Sequence, residues 1–368
     1  MTARSVLQCI EVDAHPASRV DNSQPHGIGR VAALARFGAW SNLGRNVVFS
    51  GPDLRPRAVF DVSVFTEDEP SQYDLDVHAI LEVDDLVLTL NHYGMVRAFG
   101  RAEVERPGPL RRVTPRWTRT FVADVERAVV ADGRLLGSRP RSDALPGLLV
   151  SEPLESGSAR DEFDVTINFE SWAMVTALAA MDGGPPGRLA VGGDGRIAVV
   201  TIEDGRVRGP HWETPVDCDP AVLLWDGTLL WAAGSEAGVA VDDYDWDGRH
   251  GGGFSALDPV DGHRVVEGRF DVDLAWGNGG VAIALVPGVL CGFGRHGELQ
   301  LFDQRDGILV VRTPPLADRS LGIAHGAAVG EHVLFGFNRG GYRLWAASIS
   351  EVRRAVRSGG GRFVAGPG

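Results

Sequence analysis

Val333-Leu334-Phe335-Gly336-Phe337-Asn338-Arg339-Gly340-Gly341-Tyr342-Arg343-Leu344-Trp345 reads as two apolar strands joined by a polar turn that a glycine closes. Three other stretches have the same form. They run from Leu86 to Arg97, from Leu189 to Val199 and from Val289 to Leu301, and they align through the turn without gaps. The closing glycines are Gly94, Gly195, Gly297 and Gly341. A tight hairpin needs positive φ near its tip, which glycine and asparagine adopt at little cost. The first strand of each copy is apolar at nearly every residue, as expected of a sheet covered on both faces.

A second element recurs after these hairpins. Leu257-Asp258-Pro259-Val260-Asp261-Gly262, Phe302-Asp303-Gln304-Arg305-Asp306-Gly307 and Thr201-Ile202-Glu203-Asp204-Gly205 each end in an Asp-Gly turn before another short strand. Strand-rich units fall near 26–65, 73–105, 119–150, 173–208, 219–268, 272–313 and 320–347. The expected fold is all-β: a single β-propeller of seven blades, each of four antiparallel strands, with six or eight blades left open. The ring spans residues 1–357. Its N-terminal strand, Ser5 to Val12, is expected to pair into the last blade and close the ring without an open edge. Residues 100–118 and 151–170 are polar and read as long loops, and 358–368 as a flexible tail.

The Asp-Gly runs resemble the turns of quinoprotein-like (PQQ-like) β-propeller repeats, within the wider propeller group that includes WD40 repeats. The resemblance covers about residues 175–345 and its motifs are structural. It would suggest a quinone cofactor. Neither the adjacent cysteine pair nor the full set of tryptophan docking repeats of the PQQ dehydrogenases is present, so PQQ is not expected.

The net charge of −13 opposes encounters with a phosphate backbone or an anionic membrane, so neither nucleic acid nor membrane is an expected partner. Arg111, Arg112, Arg116 and Arg119 form the densest basic run, and a solvated face is the ordinary reading of such a run. All 36 basic residues are arginine. With no lysine there is no Schiff base, no lysine general base and no P-loop lysine. Cys9, Cys218 and Cys291 are far apart and form no CxxC pair, which indicates neither structural zinc nor a disulfide framework. Met1 to His15 lacks the features of a signal peptide, and no stretch approaches the ~18 apolar residues of a membrane span. A cytoplasmic protein is expected.

Three constellations are candidates for chemistry. Asp243-Tyr244-Asp245-Trp246-Asp247-Gly248 places alternating carboxylates before a turning glycine, a pattern that converges oxygens on a hard cation. The run resembles the calcium loops of EF-hands and integrin-type propellers. It departs from them at Gly251, where the propeller loops carry a fourth acid, and at Phe254, where an EF-hand carries glutamate. Asp243, Asp245 and Asp247 are therefore either a calcium loop or a solvated acidic turn.

His78 precedes Asn91 by the same spacing as His325 precedes Asn338, which puts both on first strands of blades, where a propeller lines its channel. His26 offers a third imidazole in the blade between them. The three make a candidate acid/base or transition-metal cluster, against the alternative of structural histidines. Trp225, Trp231, Trp276 and Trp345 either line a ligand pocket or pack between blades. No G-x-S-x-G elbow appears. The expected function is a non-catalytic binding or scaffolding propeller that presents a loop face or channel mouth to a protein or small ligand. The alternative is a lyase or hydrolase built on His78, His325 and His26.

Overall fold

The structure is a computed structural model that describes residues 10–12, 16, 28–34, 37–42, 46–61, 77–91, 94–121, 125, 127–139, 148–154, 161–164, 175–182, 187–203, 206–236, 252–270, 283–286, 289–293, 299–303, 307–311, 324–337, 344–348, 350 and 362–364. The chain divides into two compact units. The first is Met1–Ala123 with Ala275–Gly277 and Ala282–Gly368, and the second is Asp124–Leu274 with Asn278–Val281.

The first unit contains four sheets. Sheet A orders Ile28–Ala33, Gly38–Asn42, Asn46–Ser50 and Pro56–Asp61, then adds Arg111–Arg112 in parallel to the last of these. Sheet B orders Val77–Val83, Leu86–Asn91, Met95–Gly100 and Trp117–Thr120. Sheet F orders Ile283–Val286, Val289–Phe293, Leu299–Asp303, Gly307–Val311 and Arg362–Val364. Sheet G orders Ala324–Val329, His332–Phe337, Leu344–Ser348 and Ile10–Val12, with Ile10 opposite Ala346 and Val12 opposite Leu344.

The second unit contains three sheets. Sheet C orders Arg127–Ala131, Arg134–Arg139, Leu148–Pro153 and Asp161–Asp164. Sheet D orders Ala177–Ala180, Arg188–Gly193, Arg196–Glu203 and Arg206–Pro215. Sheet E orders Cys218–Trp225, Leu230–Glu236, Gly252–Leu257 and Arg264–Phe270.

Unbroken apolar runs become strands here because both faces of a sheet are covered. In sheet A, Trp40, Val48 and Val59 pack with Val329, Leu334, Leu344 and Ala346 of sheet G. The alternate residues Ala39, Val47, Phe49, Ala58 and Phe60 pack with Ile80, Val87 and Phe99 of sheet B. Sheet D divides in the same way. Leu189, Val191, Ala198 and Val200 meet sheet C, while Ala190, Ile197 and Val199 meet sheet E. The apolar strand of each sequence copy is the second strand of its sheet. Gly195 closes the second hairpin of sheet D with φ +69, after Asp194 at φ +49, the backbone of a type I′ turn.

Several expectations are corrected. Five of the sheets have four strands, but A and F have five. Sheet B takes its fourth strand from Trp117–Thr120 rather than from residues before 105, and sheet C continues to Asp164 rather than ending at 150. The span 100–118, read as a loop, contains a one-turn helix, Arg101–Glu105, and the strand Arg111–Arg112. Arg101 pairs with Glu105 one turn later and Val104 is buried, which anchors so short a helix. The span 151–170, also read as a loop, begins within Leu148–Pro153 and contains Asp161–Asp164. Arg362–Val364, read as tail, lies antiparallel to Ile308–Val310. These strands have two to four residues in the segments concerned, too few for alternation to stand out in an Arg- and Pro-rich run.

Candidate functional site

Leu257-Asp258-Pro259-Val260-Asp261-Gly262-His263-Arg264 joins the third and fourth strands of sheet E. Flanking residues of the other two Asp-Gly runs pair at the same position in sheets D and F, Glu203 with Arg206 and Asp303 with Gly307. In sheet E the turn is held from within by its acids. Asp258 Oδ1 accepts from the Val260 amide at 2.8 Å, and Asp261 Oδ1 accepts from the His263 amide at 3.0 Å. The Gly262 amide donates to the Asp258 carbonyl at 2.9 Å. Sheet D holds the turn from outside. Trp212 Nε1 donates to the Pro259 carbonyl at 3.1 Å, Thr214 Oγ1 to the Gly262 carbonyl at 2.8 Å, and Arg188 Nη1 to the Pro259 carbonyl at 3.2 Å.

This turn brings Asp258, Asp261 and His263 together, with one ligand atom from each within 4.8 Å of the others. His263 Nδ1 lies 2.7 Å from Asp261 Oδ1. That bond raises the imidazole pKa above its ordinary value, and the His263 amide and ring hold the Asp261 carboxyl below its own. The three groups match a hard or borderline cation in ligand type. The same contacts are those an Asx turn makes without one. The residues are legible in the sequence as a structural turn, but their convergence is not.

Beside the turn, Arg264 Nη1 lies 2.9 Å from Glu267 Oε1 and 3.7 Å from Asp217 Oδ1. A hydrogen bond with Asp217 raises the Glu267 pKa, since two carboxyls this close share a proton more readily. Val260 is 76% exposed and Val265 48% exposed, and they are the exposed large hydrophobic residues among those described. Both border this charged cluster. The outer turn of sheet E therefore combines exposed apolar, acidic and basic groups on a backbone fixed by sheet D.

His78 and His325 lie on the first strands of sheets B and G. Within the first unit, these strands pack beside the first strand of sheet A. Their registers differ despite the matched spacing. His325 stands opposite Gly336, whereas the pairing shifts between Val77 and Ala79, so His78 falls at a bulge. His26, Asp243, Asp245, Asp247 and Trp276 lie outside the described residues.

Trp225 Nε1 donates to the Asp182 carbonyl at 2.8 Å, and the buried Trp231 donates to Asp226 Oδ2 at 2.8 Å. Trp345 is half-buried opposite Phe335. Arg111 Nη1 is directed to the backbone carbonyls of Arg57 and Arg106, Arg116 pairs with Asp85 at 2.8 Å, and Arg119 stacks over Trp117 at 4.8 Å. Burial, reinforced by Asp219 and Asp217, pushes the Cys218 thiol up to about 12, so it remains protonated and unreactive at neutral pH.

Among the described residues, no helix is long and apolar enough to cross a membrane. No family model and no curated protein matches the chain. Solved structures do. The WD40 domain of Neurospora crassa Pan2 superposes with a TM-score of 0.61 at 12% identity, covering 95% of this chain and 96% of that one. The β-propeller domain of Cps50 (Swd1) from Myceliophteria thermophila gives a TM-score of 0.58 at 11% identity, over 89% of this chain and 98% of that one. At these identities the likeness shows the fold. It is an all-β propeller.

Proposed function

We propose that the chain is a non-catalytic binding propeller whose contact surface includes the outer turn of sheet E. The observation that carries this reading is the position of Val260 and Val265, exposed beside the Asp261–His263 pair and the Arg264–Glu267–Asp217 cluster. An apolar contact rimmed by charges suits a protein surface better than a small ligand, because the apolar groups supply affinity and the charges supply orientation. We read the two five-stranded sheets as blades with an added strand, which supports a ring of seven blades with Ile10–Val12 as its closing strand. The quinoprotein-like kinship of the repeat rests on the Asp-Gly turns, one of which is this surface. The protein acts in the cytoplasm and without PQQ, nucleic acid or membrane.

The test compares the wild-type chain with a Val260→Asp, Val265→Asp variant in affinity capture followed by cross-linking at the turn. A protein cross-linked to the wild-type turn and lost from the variant, with the variant's melting temperature unchanged, supports the reading. Equal retention by both removes the turn as the contact surface. Metal analysis separates the alternatives. A stoichiometric transition metal lost in His78→Ala, His325→Ala would favour the lyase or hydrolase reading, and stoichiometric calcium lost in Asp245→Ala would assign the acidic run.

A further inference from the structure

Arg97 lies on the third strand of sheet B and is 1% exposed. Its Nε and Nη2 have no hydrogen-bond partner. In the register it stands between Thr89 and Thr118, on the face that also carries Val87 and Phe99 and packs on sheet A. Thr89, directly opposite, is also 1% exposed, and its Oγ1 has no partner. Sheet A contributes Ser41, 2% exposed, whose Oγ is likewise without one. Ser41 shares a row with Val47 and Phe60, and the Arg97 guanidinium carbon lies 5.4 Å from the Phe60 ring centre.

The guanidinium is still charged at neutral pH, since burial lowers its pKa only to about 10. Contact with Phe60 compensates one face of the cation. The N–H groups point along its edge and are not served by that contact. The acid on the same face one row along, Glu82, is engaged by Arg101. A buried guanidinium without an acceptor is among the costliest arrangements a core can hold, and native interiors pair such groups with protein, water or an ion. Guanidinium nitrogens only donate, and the neighbouring Thr89 hydroxyl can donate as well. The shared need of this seam is an acceptor carrying negative charge. Arg97, Thr89 and Ser41 are each at most 2% exposed, so a bulky oxyanion such as phosphate or sulfate enters only if the sheets part, whereas a monatomic anion asks for little more room than a water.

We infer that the seam between sheets A and B binds a small halide-sized inorganic anion, chloride under ordinary conditions, against Arg97 and Thr89. It is a structural anion site, independent of the partner surface on sheet E.

Melting temperature in sodium chloride against sodium gluconate at equal ionic strength tests this, because gluconate is too large for the seam. The wild-type Tm is expected to rise with chloride concentration, as for any ligand bound by the folded state alone. Arg97→Met should lose this dependence, and Thr89→Val should weaken chloride affinity about tenfold. Bromide-soaked crystals should give an anomalous peak within hydrogen-bond reach of Arg97. Equal wild-type Tm in the two salts, a bromide map without that peak, or a chloride dependence that persists in Arg97→Met would overturn the site. Should Arg97→Met not fold, the wild-type salt comparison and the bromide map decide the matter.

Discussion

Replacing Asp226 with alanine should destabilise sheet E by about 1.5–4 kcal/mol, with most of that cost arising at one buried indole. Asp226 sits in the turn between Cys218–Trp225 and Leu230–Glu236. Its Oδ1 accepts from the Thr228 amide at 2.8 Å, the Thr228 hydroxyl at 2.7 Å and the Leu229 amide at 2.7 Å, and its Oδ2 accepts from Trp231 Nε1 at 2.8 Å. The turn donors are exposed and water can replace the carboxylate there, so they contribute about 0.5–1 kcal/mol together. Trp231 is 1% exposed, and its unpaired N–H would cost a further ~1–3 kcal/mol. Urea denaturation followed by tryptophan fluorescence measures the loss. With a slope near 3 kcal/mol/M, the midpoint should fall by roughly 1 M.

The pH dependence has a definite sign. Partial burial pulls the Asp226 pKa upward, but hydrogen bonds from Leu229, Trp231 and Thr228 outweigh it and hold the carboxyl below its ordinary value. Its stabilisation is complete above the unfolded-state pKa of about 3.9 and is lost as pH falls through the lower folded value. The gap between wild type and Asp226→Ala should therefore narrow in acid. In a double-mutant cycle, Asp226→Ala and Trp231→Phe should couple by at least ~1 kcal/mol. An Asp226→Ala cost within about 0.5 kcal/mol of zero, or additive single changes, would refute this account.

Gly262→Ala should lower stability by ~2 kcal/mol or more, read from the same urea midpoint. Gly262 has φ +75, and an added Cβ would lie 2.4 Å from Trp212, which its own bond to Pro259 holds in place. Gly234→Ala should be worse, since the added carbon would meet the Asp219 carbonyl at 1.7 Å where the backbones of sheet E approach at a bulge. The His263 imidazole should titrate above 6.5 in an NMR pH series, and Asp261→Asn should bring its midpoint down. The charged pair is complete at pH below 6.5 and disappears as pH rises through the raised pKa. Deleting Met1 to Asp13 should lower the melting temperature, because it removes the strand paired with Leu344–Ala346.

How much could be read from sequence differs between the repeat and the site. The hairpin of Leu189–Val199 is legible because its period and its Asp-Gly tip are local properties, and a type I′ turn needs those residues. Trp117–Thr120 is not legible, because four alternating residues among arginines resemble a polar loop. The Asp258–His263 turn stands in the sequence as punctuation. Its standing as a candidate site depends on Trp212 and Arg188 fixing its backbone and on Val260 remaining uncovered. His78 and His325 show the reverse case. Equal spacing suggested equal positions, and a bulge at His78 gave the two strands different registers.

By itself, then, the sequence determined where strands and turns recur and that the apolar strand of each repeated hairpin must be covered on both faces, since strand alternation and turn chemistry act over a few residues. Only the tertiary structure decided which polar groups lose water. Arg97 and Asp226 both lie in strand-turn segments of ordinary appearance, yet one is enclosed between two sheets and the other clamps an indole. Burial and partnership depend on which strands stack against which, and those strands come from distant parts of the chain.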